Sequence, residues 1–523
     1  MNTSEVERAK APGLAPWWAG ALAGLLAAAT GVSVATGVAA VLKGVPSPIE
    51  SVGNQAIDQA PPFLKEFAVK NFGTHDKPIL IGGVIVTLAV IAMCAGIIGR
   101  TKPRRSFGIV ALVGLVAVGA AAIDRTATAN KALTMVPSVL ALIITLIALR
   151  FFLSSLQFVR KSGDELPAGF NRRRFLQGVL GTSALIVVGG AVGKLFGNAA
   201  AAASRAGIRI RRPADVAPPV PAGTEIGLKG VHPYITSNRD FYRVDTALRI
   251  PDVPAEGWSL RVHGMVDKEL NLSFRDLMAM SLVERRITLT CVSNEVGGPY
   301  VGNATWIGVP IKDILAMAGV KAGADAIKTT SADDWSAGTP LETVTDARNA
   351  IIAIGMNGEP LPLAHGFPAR VVVPGLYGFV SATKWLVDLE VSRFADFKGY
   401  WTTRDYDALA PIKMSSRIDV PRSFQSVPKD SVRIGGSAWA QAIGIRRVEI
   451  KVDGGDWHDA ELGTEDNIET WRQWSWKWDD ATPGRHTVTV RATDANGKTQ
   501  TSERASIRPN GTTGWHSVQF TVT

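Results

Sequence analysis

Cysteine is nearly absent from this chain of 523 residues, which carries only Cys94 and Cys291. Cys94 lies in an apolar run of membrane-spanning length, so the two cannot pair, and a disulfide framework is excluded. The same scarcity leaves no cysteine set for an iron-sulfur cluster and no Cys-x-x-Cys-His for a c-type haem. Histidine is sparse as well: of His75, His232, His263, His365, His458, His486 and His516, only His75 falls near an apolar run, at its edge. The paired histidines that hold a b-type haem between helices are missing, so neither haem nor an iron-sulfur cluster is expected.

Charge is the third shortage. It is scarce in the stretches Trp17 to Leu42, Pro78 to Gly99, Phe107 to Ile123 and Val136 to Leu156, and a fifth run, Phe175 to Leu195, follows. About 20 apolar residues cross the hydrocarbon core, so these stretches predict five transmembrane helices, the third the shortest. With so few ionisable or paired polar residues inside them, a transport pathway is disfavoured. The formal charge of +10 does not call for nucleic acid, because much of the excess sits beside the spans, in Arg100 to Arg105 and Arg160 to Arg174. With the N-terminus inside, those basic loops face the cytoplasm, while the charge-balanced segments Lys43 to Lys77 and Asp124 to Met135 lie outside.

The fifth run opens Asn171-Arg172-Arg173-Arg174-Phe175-Leu176-Gln177, which resembles a twin-arginine export signal. An arginine cluster with only an orienting role is the plain alternative. A Gly-rich apolar run (Gly178, Gly181, Gly189, Gly190, Gly193) and the small residues Asn198 to Ser204 follow, as an export signal requires. That route carries folded cargo. The expectation is a multi-pass protein of the bacterial cell membrane, with everything beyond about residue 200 extracytoplasmic.

After a Pro-rich stretch, Arg211 to Pro221, the texture becomes globular. Short strand patterns (Ser259 to His263, Ile287 to Cys291, Arg370 to Val373, Leu386 to Val391) alternate with brief helical ones (Phe274 to Met280, Ile311 to Ala318), which predicts an α+β domain. Beyond Pro411, alternating runs such as Arg446 to Val452, Thr487 to Ala492 and Ser517 to Val522 are joined by Asp453-Gly454-Gly455 and Asn496-Gly497 turns, the pattern of a β-sandwich. The expected organisation is a helical transmembrane region over 1–200, a linker over 201–224, a catalytic domain over 225–410 and the sandwich over 411–523.

Cys291 ends the run Arg286-Ile287-Thr288-Leu289-Thr290-Cys291, whose alternation predicts a strand presenting the thiol at a loop. An unpaired cysteine is often a small buried hydrophobe. As a thiolate it also suits a soft metal or acts as a nucleophile. The surrounding motifs bear on the choice: Thr288-x-Thr290-Cys291-x-x-Asn294, Trp306 to Leu315, His365-Gly366-Phe367-Pro368-Ala369-Arg370 through Gly375, Ser381-Ala382-Thr383-Lys384-Trp385-Leu386, and upstream Thr236 to Arg243.

Together these resemble the molybdopterin-binding domain of the sulfite oxidase family, and the final block is similar to that family's immunoglobulin-like dimerisation domain. The resemblance covers about residues 225 to 523. It implies one molybdenum bound by one pterin, with Cys291 as the protein's ligand to the metal. Arg370 and Lys384 would hold the cofactor phosphate, with Ser381 and Thr383 supplying hydroxyls. Asn238, Tyr242 and Arg243 match the first cofactor loop, His365 matches a pterin contact, and Thr330 or Ser331 another. Tyr400 and Arg404 lie where the family brings aromatic and basic residues towards substrate, and with Cys291 they complete the expected catalytic group. Taken singly, Arg370 could pair with a buried carboxylate and His365 could be a satisfied loop histidine.

One departure matters. Sulfite oxidases proper follow the Cys-x-x-Asn with two arginines, where this chain has Glu295 and Val296. The change of about three charge units repels a doubly charged oxyanion, so the expected substrate is a small molecule other than sulfite. The reading is a membrane-anchored oxidoreductase performing two-electron oxygen-atom transfer. It would exchange electrons with a separate protein or a quinone, with homodimerisation through the sandwich. The alternative is a non-enzymatic anchored binding module with a vestigial cofactor fold.

Overall fold

The computed structural model describes residues 15–42, 44–61, 64, 67–68, 71–72, 76–127, 129–156, 172–196 and 199–523. His75, Asn171, Asn198 and most of the expected basic loop Phe158 to Arg174 lie outside the described residues. Two compact units emerge: Met1–Ala199 with Ala247–Asp252, and Ala200–Thr246 with Val253–Thr523.

In the first unit, α1 (Trp17–Val41), α2 (Pro48–Gln59), α3 (Asp76–Gly99), α4 (Pro103–Ala122), α5 (Lys131–Leu156) and α6 (Arg172–Phe196) follow in order. Among the described residues five helices are long and apolar enough to cross a membrane, and α2 is not one of them. α1 is the hub, packed on α3, α5 and α6. Small residues make this possible: a Cβ on Gly24 would lie 1.9 Å from Ala92 O on α3, and one on Gly31 would lie 2.5 Å from Ala141 O on α5. Such close backbone approach is the packing that small residues allow between apolar helices. α2 opens with a capping box, Ser47 with Glu50, and its Asn54 donates to the buried Asp124 at 3.2 Å.

In the second unit the α+β part contains β1 (Ser259–Gly264), β2 (Leu270–Ser273), β3 (Val283–Thr290), β4 (Val301–Pro310), β5 (Ala326–Ser331), β6 (Ser336–Pro340), β7 (Ile351–Met356), β8 (Glu359–Pro360), β9 (Arg370–Val372) and β10 (Leu386–Ser392). They build one sheet in the order β2-β1-β10-β5-β6 and another in the order β3-β4-β7-β8, with β9 paired to β7. The helix Ile311–Ala318 buries Ile311, Ile314, Leu315 and Ala318, one apolar stripe at helical spacing. β3 is the edge of its sheet, so Cys291 follows directly on an edge strand.

The sandwich comprises β11 (Ser415–Val420), β12 (Ser426–Val427), β13 (Arg433–Trp439), β14 (Ile445–Val452), β15 (His458–Asp459), β16 (Glu461–Leu462), β17 (Arg472–Lys477), β18 (Gly484–Asp494) and β19 (His516–Val522). Its sheets run β11-β13-β17-β16 and β12-β19-β18-β14-β15. Strict alternation puts Val488, Val490 and Ala492 of β18 and Val518, Phe520 and Val522 of β19 inside, against Trp474.

Residues 201–224, most of the α+β part and the sandwich fall in one compact unit, Ala200–Thr246 with Val253–Thr523. Arg205 in the helix Ala199–Gly207 donates to Pro360 O and Leu361 O and pairs with Glu359 at 2.6 Å. Further on, Ala214 N donates to Leu282 O at 2.8 Å, and Thr464 N in the sandwich donates to Gly223 O at 2.9 Å. Backbone hydrogen bonds thus fix a stretch whose proline content reads as a tether.

Candidate active site

The site begins where β3 stops. Cys291 N donates to Tyr300 O at 3.0 Å, Asn294 N to Cys291 O at 3.0 Å, and Tyr300 N to Asn294 Oδ1 at 2.8 Å. The loop of residues 291–300 is thereby closed by its own asparagine. The thiol is buried, and burial pushes its pKa up, while the Ser293 backbone N–H and the Lys384 charge pull it down. Left alone it is a thiol. As a thiolate it needs a cationic partner.

The cations are close by. Gly366, at φ 107°, has no room for a side chain: a Cβ there would lie 3.0 Å from Lys384 Cβ and 3.1 Å from Arg370 Cβ. The two basic residues therefore flank one glycine. Arg370 is 5 % exposed and stacks 5.0 Å above the Trp306 ring. It donates from Nη1 to His365 O at 3.2 Å and from Nε to Val371 O at 3.4 Å, and among the described residues it has no carboxylate partner. Burial pulls its pKa down to about 10. Lys384 is held by Asp245 at 2.5 Å, and Arg243 binds the same carboxylate at 2.9 Å. Two cations thus share one acid, and Arg370 stands beside them.

His365 sits among them. Burial, then Arg370 and Lys384, lower its pKa to about 4, so the ring is neutral at pH 7. Its Nε2 meets only an acceptor, Asn238 O at 3.1 Å, so Nε2 carries the proton and Nδ1 is left as an acceptor. Asn238 is itself fixed, accepting from Asn357 Nδ2 at 2.9 Å and donating to Met356 O at 3.3 Å. Phe241 packs edge-on against both His365 and Trp306 and stacks on Tyr242, whose ring meets Tyr300. The Tyr242 pKa is raised by burial and then by the Cys291 sulfur, and that of Tyr377 is pushed up to about 12 by the same causes. Both phenols therefore keep their protons.

The structure thus gathers Asn238, Tyr242, Arg243, Cys291, His365, Arg370 and Lys384 into one linked cluster. Thr383 lies on it, its hydroxyl 2.6 Å from that of Thr329. Thr330 does not: β5 alternates, Thr329 and Ser331 are buried, and Thr330 pairs with Asp388 on the other face of the sheet. The Ser381 hydroxyl is spent on Leu376 O and Tyr377 O, tying down the short helix Gly378–Ser381. Tyr400 and Arg404 meet each other, with the Arg404 guanidinium 3.7 Å over the Tyr400 ring and donating to Tyr400 O at 2.6 Å. The Tyr400 ring meets Trp401 edge-on, Trp401 meets Tyr406, and Tyr406 meets Phe379. Sequence reasoning missed Asp245, Thr329 and Tyr377. Asp245 had a local signal, an acid two residues past Arg243 in an otherwise basic cofactor loop.

Comparison with known proteins follows the same division. The family described as "Oxidoreductase molybdopterin binding domain" matches residues 247–401, and "Bacterial Ig domain" matches residues 415–490. Mitochondrial sulfite oxidase of Rattus norvegicus is 32% identical over 315 residues, which is 52% of this chain and 55% of that protein. The uncharacterized oxidoreductase YuiH of Bacillus subtilis (strain 168) is 36% identical over 149 residues, 28% of this chain and 72% of that protein. The chain spans about half the length of the sulfite oxidases it matches, with 55% of the rat protein covered. Among solved structures, the sulfane dehydrogenase SoxCD from Paracoccus pantotrophus is similar at 22% identity and a TM-score of 0.48, covering 56% of this chain and 84% of that one.

Proposed function

This chain belongs to the sulfite oxidase family of molybdopterin-dependent oxidoreductases, and from that premise we propose a membrane-anchored enzyme that binds one molybdenum and one pterin and performs two-electron oxygen-atom transfer on a small extracytoplasmic molecule other than sulfite. The observation that carries the reading is Arg370, buried without a carboxylate partner among the described residues, within the cluster that contains a buried thiol. A buried cation without an anion is costly, and a ligand ending in phosphate removes the cost. The donor set fits the group: a soft sulfur for the metal and a planar guanidinium beside an ammonium for the phosphate.

When bound, the molybdenum centre supplies the two-electron chemistry. The chain's own residues bind and orient. Arg370 and Lys384 hold the phosphate, with Thr383 contributing its hydroxyl, and neutral His365 offers Nδ1 to a pterin N–H. Tyr242 and Tyr377 keep their phenolic protons and so can donate to an oxygen-bearing substrate. Glu295, four residues past the thiol, adds negative charge to the same loop, which favours a neutral oxygen donor or acceptor such as a sulfoxide over a dianion. No haem or iron-sulfur cluster belongs to this proposal; electrons pass to or from a separate protein or a quinone. The sandwich serves as the homodimer contact, and Arg172 and Arg173 direct export of the folded domain across a bacterial cell membrane.

The test is metal and pterin analysis of the purified full-length protein, joined to a screen of sulfoxides, N-oxides and sulfite. One molybdenum and one pterin per chain with turnover of a neutral compound is the expected result. A metal-free protein, or sulfite as the best substrate, would overturn the reading.

A further inference from the structure

We infer that the sandwich has a second task besides any dimer contact: it positions the strand and loop that present Cys291. An edge strand leaves every second backbone N–H and C=O without a partner in its own sheet. At β3 the sandwich supplies those partners. Thr288 N donates to Glu469 O at 3.0 Å, and Thr288 O accepts from Gln441 Nε2 at 2.6 Å. The Thr288 hydroxyl accepts from Trp471 N at 2.8 Å. Two residues earlier, Arg286 grips Asp466 with two bonds of 2.5 and 2.6 Å, both side chains buried.

The loop beyond the thiol is held from the same side. Thr512 donates to Asn294 O at 2.9 Å and Arg417 Nη1 donates to Gly298 O at 3.2 Å. Cys291 thus stands between two anchored points, residue 288 before it and residue 294 after it, and both anchors belong to the sandwich. One residue before the thiol, the buried Thr290 hydroxyl has no partner among the described residues. The position of the sulfur is therefore set by contacts between residues 119 to 218 apart in sequence, and Gln441 is a positioning residue for it.

The inference rests on Cys291 being the reactive thiol, so its test is made to work without metal. In full-length protein carrying Cys94→Ala and free of cofactor, Cys291 is the only thiol, and its alkylation rate by iodoacetamide reports how firmly it is held. Gln441→Met removes the donor to a buried carbonyl at nearly constant volume and is expected to raise that rate about tenfold. Thr288→Val, which removes the acceptor for Trp471 N, should act alike. Phe520→Leu weakens the sandwich core without touching β3 and should lower the melting temperature yet leave the rate within about twofold of the parent. The cofactor-loaded Gln441→Met protein should in addition show a broadened Mo(V) electron paramagnetic resonance signal. Equal rates in Gln441→Met and parent, or an equal rise in Phe520→Leu, would overturn the inference. Metal retained by Cys291→Ser would instead defeat the ligand assignment and leave the alkylation comparison valid.

Discussion

Replacing Arg370 by methionine separates a clamp for an anion from a structural arginine. The guanidinium is buried over Trp306, among the described residues donates only to two backbone carbonyls, and has its pKa pulled down from its ordinary value to about 10 by loss of water. At about 1.4 kcal/mol per unit, the cofactor-free fold carries about 3 kcal/mol of uncompensated charge there. Methionine keeps an unbranched apolar stem and a soft contact on the indole, but it gives up the two hydrogen bonds, at about 1 kcal/mol each. The cofactor-free variant should therefore be as stable as the parent, or more stable by about 1 kcal/mol. With cofactor the sign reverses, because a buried phosphate then lacks its charged donor, a loss of about 2 to 5 kcal/mol. Denaturant melts of protein from cells unable to make pterin, beside protein from cells that make it, measure both numbers. A cofactor-free variant destabilised by about 2 kcal/mol or more, as for a core cavity, would refute the clamp and make Arg370 a packing residue.

Cys291→Ser should lose molybdenum while its melt stays close to that of the cofactor-free parent, because a buried hydroxyl is a harder and weaker ligand; metal analysis and a melt check both halves. Glu469, whose pKa burial raises from 4.5 to about 7 and whose Oε2 has no partner, makes the fold lose stability as pH rises. Its contribution is complete below about pH 4.5 and gone above about pH 7, so Glu469→Gln should match the parent at pH 5 and exceed it by up to about 3 kcal/mol at pH 8. Changing Arg172 and Arg173 to lysine keeps the charge but not the recognition, so a reporter fused after Thr523 should remain cytoplasmic; an external reporter would defeat the export argument.

The parts of the fold legible in the sequence are those fixed by local periodicity. The run Phe175 to Leu195 lies within α6, the stripe Ile311 to Ala318 is a helix over those same residues, and the turns at Asp453-Gly454 and Gly497 have the positive φ that such pairs favour. Motif order was enough to assemble most of the cluster around Cys291. Thr330 escaped because alternation gives the period of a strand but not its phase, which is set only when β5 pairs with β10. Tyr400 and Arg404 were placed by motif position alone, and the structure pairs them with each other through a cation-aromatic contact. The ion pair of Arg286 with Asp466 joins residues 180 apart, and no local pattern announces a contact of that range.

Asp245, shared by Arg243 and Lys384, sets the charge balance of the pocket. With Arg370 included, three cations less one carboxylate leave two positive charges, and His365 adds none at neutral pH. A phosphate monoester brings about two negative charges at that pH. Clamp and ligand together are then electroneutral, which is the state that least resists removal from water. A neutral assembly recruits no counter-ions, so once the cofactor is seated its retention should hardly respond to ionic strength, in contrast to the strong screening felt by charge pairs on an open surface.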